Sequence, residues 1–133
     1  MRRVIISSLV LALVAFTGSI LSPTGATQAT NRETALVDFP QQVKLLGVFL
    51  KGEYLIVHDD ASMAQGGDCT FVYSRREGQP DKLVASFHCT PIERNNADHF
   101  VVRTARLSGL IETPEIREIQ FAGSNEGHQV PTE

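Results

Sequence analysis

The sequence predicts an all-β protein: a small antiparallel sandwich or barrel of five to six strands with one short helical turn, preceded by a signal peptide. Three observations predict it. Short segments rich in β-branched and aromatic residues recur between Gly, Pro, Asn and Asp clusters. Two cysteines, Cys69 and Cys89, fall level across one of the resulting hairpins. An apolar N-terminal run follows two arginines and is too short to span a bilayer as an ordinary helix.

That run is Val4 to Phe16, broken only by Ser7 and Ser8, with Arg2 and Arg3 as the positive n-region. Gly18, Ser19, Ser22 and Pro23 then end the helix, and cleavage fits best after Ala26 or Ala29. The residues around the arginine pair lack the rest of a twin-arginine motif, so the general secretory route is expected. The expected organisation is a signal peptide at 1–26, a flexible lead-in at 27–40, an antiparallel β domain at 41–122 and a polar tail at 123–133. The expected destination is the periplasm or the outside of the cell, with no stable membrane anchor after cleavage.

All fifteen acidic residues lie beyond Ala29, and two of the twelve basic residues lie before it; ten against fifteen leaves the mature chain at minus five. Phosphate backbones and anionic lipid surfaces require clustered Lys and Arg. The one adjacent basic pair beyond the signal, Arg75 and Arg76, sits in a turn. Nucleic acid is therefore not an expected partner. About a hundred residues suffice for one domain of modest core.

Along the chain, Phe39-Pro40 marks the start of the fold. Val43 to Leu50 and Glu53 to His58 read as two strands punctuated by Gly52, and Asp59 to Asp68 as a loop around Gly66-Gly67. Cys69 to Arg75 and Leu83 to Cys89 read as a hairpin. Thr90-Pro91-Ile92-Glu93 has the form of a helix start, with a Thr N-cap and Pro at the first helical position, and the two asparagines that follow limit it to one turn. Phe100 to Leu107 reads as a strand, as does Glu115 to Ala122, although a short helix there fits the pattern as well.

Symmetry of the hairpin about Gln79 places Cys69 opposite Cys89, Phe71 opposite Phe87 and Tyr73 opposite Ala85. All six then share one apolar face. An even cysteine count in an exported chain points to a disulfide. A Cys69–Cys89 bond would close a loop of about twenty residues, for which chain entropy gives on the order of 3 kcal/mol. The twenty-position spacing is unlike that of Cys-x-x-Cys redox pairs.

His58, His88 and His128, with Asp59 and Asp60, are the candidate metal ligands. No local chelate such as His-x-x-x-His or Cys-x-x-Cys occurs, and neighbours His88 and Cys89 point to opposite faces of their strand. A long-range site needs His58 beside Cys69, which antiparallel pairing of the segments from Glu53 and from Cys69 would produce. The acids around Gly66-Gly67 lack the spacing of a calcium loop. Ser62 and Ser108 lack the Gly-x-Ser-x-Gly context of a hydrolase nucleophile. No cofactor signature occurs. The function expected from the sequence is a non-enzymatic periplasmic or secreted module, stapled by one disulfide, that binds an envelope protein or small ligand. The alternatives are a metal-handling protein using histidines and loop carboxylates and, third, a small hydrolase.

Overall fold

The computed structural model describes residues 31–106 and 113–132. The expected signal peptide with its cleavage sites, and Ser108, lie outside the described residues. Within them are β1 (Arg32–Leu45), β2 (Val48–Asp59), α1 (Asp60–Ala64), β3 (Thr70–Ser74), β4 (Lys82–Phe87), β5 (Thr90–Glu93), β6 (Val101–Ala105), β7 (Glu115–Gln120) and β8 (Glu126–Gln129). The protein is all-β. Its strands form a single sheet ordered β4-β3-β2-β1-β7-β8-β5, with β6 on the other edge of β7. The sheet curls into a half-barrel, so one continuous sheet replaces the two layers of a sandwich.

The long hairpin β1–β2 is the spine. Leu46 (φ 45°) and Gly47 (φ 77°) both take left-handed backbone, as a two-residue type I′ turn requires, and Leu45 pairs with Val48. The turn thus falls inside the segment expected to be one strand, Val43 to Leu50, while Gly52 lies within β2. Gly52 faces Phe39, where a bulge shifts the β1 register between Phe39 and Val43. The expected flexible lead-in is likewise strand from Arg32 onward. Arg32, Thr34, Leu36 and Asp38 face outward, while Glu33, Ala35, Val37 and Phe39 turn inward opposite His58, Ile56, Tyr54 and Gly52. That alternation of exposed and inward positions is the signature of a half-buried strand.

Three further elements differ from expectation. Thr90–Glu93 is an edge strand paired with β8, not a helical turn, and the edge tolerates the missing N–H of Pro91. The helix is α1 instead, capped by Asp59, whose carboxylate accepts from the Ala61 and Ser62 amides at 2.9 and 3.4 Å. The expected polar tail contains β8, whereas Glu115–Gln120 is a strand as read from the sequence.

The β3–β4 register also needs correction. Thr70 pairs with Phe87, Phe71 with Ser86 and Val72 with Ala85, and a bulge then shifts Tyr73 onto Leu83. This is one residue from the symmetric alignment at Thr70 to Val72 and two beyond the bulge; Thr70 and Val72 turn into the core, and Phe71 and Tyr73 are only half-buried. Pairing with β2 explains why: Val72 opposes Ile56 and Thr70 opposes His58, both inward-facing. The core runs from Leu45 and Leu50 through Tyr54, Ile56, Val72 and Phe87 to Ile116, Ile119, Phe121 and Val130.

Candidate metal centre

At one end of the half-barrel the apolar lining gives way to imidazole, thiol and carboxylate. His58 occupies the last inward position of β2, opposite Glu33 of β1 and Thr70 of β3. Period-two alternation along β2 continues the inward series Tyr54, Ile56, His58, so the ring is carried into the core rather than to solvent. His128 comes from the other part of the sheet, in β8, paired with Ile119 on β7 and Pro91 on β5. Curling of the sheet brings it over His58, with ring centroids 4.0 Å apart. Phe121 closes the cluster, its ring 6.4 Å from that of His58 and 5.7 Å from that of His128.

Both imidazoles are buried, at 1% and 0% exposure. His58 Nδ1, His58 Nε2 and His128 Nε2 have no hydrogen-bond partner among the described residues. Such groups are rare in folded proteins because an unpaired buried polar atom is costly, by about 1–3 kcal/mol. Two of the three face the same atom: Glu33 Oε2 lies 3.4 Å from His128 Nε2 and 3.8 Å from His58 Nδ1. These are ion-pair distances without hydrogen-bond geometry. Asp60 Oδ1 stands 3.4 Å from His58 Nδ1, and Glu126 Oε1 3.8 Å from His128 Nδ1, both at the exposed rim.

The thiols lie on the inner side. Cys69 immediately precedes β3, Cys89 lies two residues past the end of β4, and both are fully buried. Their sulfurs are 2.9 Å apart, beyond the bonded length of about 2.05 Å, and both are free thiols here. The Cys89 amide donates to Cys69 Sγ at 3.2 Å, and Cys89 Sγ lies 3.5 Å from His128 Nδ1. Two ligand-competent groups result, Glu33–His58–His128 and His58–Cys69–Cys89, each with its donor atoms within 4.8 Å of one another.

The electrostatics follow from burial. Desolvation lowers the pKa of His58, and the neighbouring His128 lowers it further, against the pull of Asp60, Glu126 and Asp59. Desolvation likewise lowers His128, with Asp60 and Glu118 opposing. Burial raises Glu33, and the nearby Asp60 and Glu126 charges add to the rise. Burial and the contact with Cys69 push the Cys89 thiol up to about 12. All four groups are thereby biased toward their neutral forms, and a cation would reverse that bias for the carboxyl and thiol.

Of the metal ligands expected from the sequence, His58 and His128 meet in this cluster, with Asp60 at its rim. His88 is exposed, its Nδ1 2.7 Å from the Gly67 carbonyl oxygen, and Asp59 is committed to capping α1. The pairing of β2 with β3 that would set His58 near Cys69 does occur. Glu33 was hidden in the supposed lead-in. Its signal was the alternation Glu33, Ala35, Val37, Phe39.

Fold and site together define an all-β protein with a buried histidine, thiol and carboxylate cluster. The chain matches no protein-family model, no curated protein and no solved structure.

Proposed function

We propose that this chain is an exported, non-enzymatic binding module whose ligand is a divalent first-row transition-metal ion, held by His58, His128 and Glu33 with Asp60 at the rim. The observation that carries the reading is the pair of buried nitrogens, His58 Nδ1 and His128 Nε2, that have no hydrogen-bond partner among the described residues and face one carboxylate oxygen. Two imidazoles and one carboxylate suit borderline ions such as Zn(II) or Fe(II). Burial of both rings favours retention of the ion over its presentation to a substrate. Export rests on the Arg2-Arg3 pair, the Val4–Phe16 run and the small residues before Ala26 and Ala29.

Equilibrium dialysis of chelator-treated protein against Zn(II) tests this reading. One equivalent is expected, with affinity falling at least about tenfold in His58→Ala or His128→Ala and unchanged in His88→Ala. Far-ultraviolet circular dichroism reports whether each variant stays folded. Absence of Zn(II) uptake, or uptake that folded His58 and His128 variants retain, would overturn it. Intact mass of the exported protein tests processing, with a first residue of Thr27 or Thr30 expected.

A second reading is a structural Cys69–Cys89 disulfide in a metal-free binding module. It is supported by the 2.9 Å approach of the two sulfurs and by an even cysteine count in a chain bearing an export signal. Non-reducing peptide mapping of protein from its native compartment would detect that crosslink.

A further inference from the structure

We propose that Cys69 and Cys89, with His58, form a second, thiolate-rich seat for a soft ion, Cu(I), beside the nitrogen–carboxylate seat. The inference rests on the reading that this cluster holds metal, and deepens it by naming a second ion class and the residues that select it.

Three features carry it. The sulfurs converge: Cys69 Sγ and Cys89 Sγ are 2.9 Å apart, and a His58 nitrogen completes a group within 4.8 Å. Both thiols are buried, at 0% and 1% exposure, in surroundings where water would not compete with them for a soft ion. His58 is common to both groups, and neither of its ring nitrogens has a hydrogen-bond partner among the described residues; Nδ1 faces Glu33 and Asp60, so Nε2 is the nitrogen proposed for the second group. Thiolates select Cu(I), whereas imidazole and carboxylate suit harder divalent ions. The arrangement therefore grades from hard to soft inward: exposed Asp60, then Glu33 and the two imidazoles, then the thiols.

The same two sulfurs cannot serve as ligands and as a disulfide. Exchange with a small-molecule disulfide begins when the Cys69 thiolate attacks it and expels one small thiolate. The Cys89 thiolate then displaces the second, leaving the Cys69–Cys89 bond. Two protein thiolates are oxidised and one small disulfide is reduced to two thiolates. That oxidised form loses the sulfur seat and keeps Glu33, His58 and His128.

The test compares three forms of the full exported protein: reduced, oxidised by refolding with excess small-molecule disulfide, and the Cys69→Ser/Cys89→Ser double variant. Each is titrated anaerobically with Cu(I) against a chromophoric cuprous chelator, and separately with Zn(II). The expected result is one Cu(I) in the reduced form with thiolate-to-copper absorption in the near ultraviolet, and at least a hundredfold weaker Cu(I) binding in the other two. Zn(II) binding in the oxidised form should persist. Cu(I) affinity unchanged by oxidation and by the double substitution, or Cu(I) bound without the sulfur band, would overturn the thiolate seat. Failure of the oxidised protein to bind Zn(II) would instead overturn the nitrogen–carboxylate seat. The oxidised wild-type chain carries the comparison if the double variant does not fold.

Discussion

The imidazole of His58 lies over that of His128, centroids 4.0 Å apart and planes inclined at 35°, although the two residues come from β2 and β8. Burial disfavours a charge on both rings, and the neighbouring His128 adds to this for His58. Neutral imidazoles are thus built into the folded state.

Acid should therefore destabilise the metal-free protein at a higher pH than carboxylate titration alone would. Both histidines have folded pKa values below the ordinary 6.5. Between those lowered values and 6.5 the unfolded chain binds more protons, so stability rises with pH there and is lost as pH falls below 6.5. Glu33, raised above 4.5, acts in the opposite sense between 4.5 and its folded value. Urea midpoints of chelator-treated protein across pH should show the histidine limb, and His58→Gln/His128→Gln should flatten it.

Glu118 should set a second, lower acid limb. It is buried, accepts from Arg94 Nε and an Arg94 terminal nitrogen at 2.9 and 2.6 Å, and accepts from Arg103 at 2.8 Å. The Arg94 hydrogen bonds hold its pKa below 4.5, so its contribution is present above 4.5 and lost as pH falls through the folded value. Glu118→Gln is expected to cost about 1–3 kcal/mol at pH 7. The lower part of that range is favoured because solvent screens both arginines. Urea denaturation at pH 7 and below 4.5 should find the deficit shrinking in acid.

Gly127→Ala should destabilise by overpacking. An added Cβ would stand 2.5 Å from Glu118 Oε1 and 3.1 Å from Ile92 Cγ2. The two arginines fix the carboxylate, so it has little freedom to retreat. A loss of about 1–3 kcal/mol is expected, read as a lowered urea midpoint with the slope unchanged.

Much of the fold was legible because strand periodicity and turn residues are local signals. Val72 and Phe71 mark where that legibility ended. Symmetry about Gln79 favoured Phe71 inward, but pairing with Ile56 and Val57 on β2 decided the register, and that is long-range information. Glu33 and His128 lay in segments polar enough to be taken for a lead-in and a tail; each becomes strand only by pairing, with β2 and with β7 and β5. His58, His128 and Asp60 were legible as ligand types and Glu33 was not, and their meeting depends on sheet curl, which no spacing in the sequence encodes.

The register correction is itself testable. Val72 is 1% exposed, whereas Leu83 is 48% exposed. Val72→Ala should cost about 1–3 kcal/mol and Leu83→Ala about 0.5 kcal/mol or less, by thermal or urea denaturation. A reversed order, with Leu83→Ala the costlier, would favour the symmetric alignment, which turns Leu83 inward and Val72 outward.

The central claim is that His58 and His128 ligate one ion, and long-range proton–nitrogen correlation spectra of the histidine rings test it directly. Recorded before and after one equivalent of Zn(II), they should show His58 Nδ1 and His128 Nε2 shifting in step with added metal, with the rings of exposed His88 and His99 unmoved. Saturable Zn(II) binding that leaves both buried rings unchanged, or that moves His88 or His99 instead, would contradict the account.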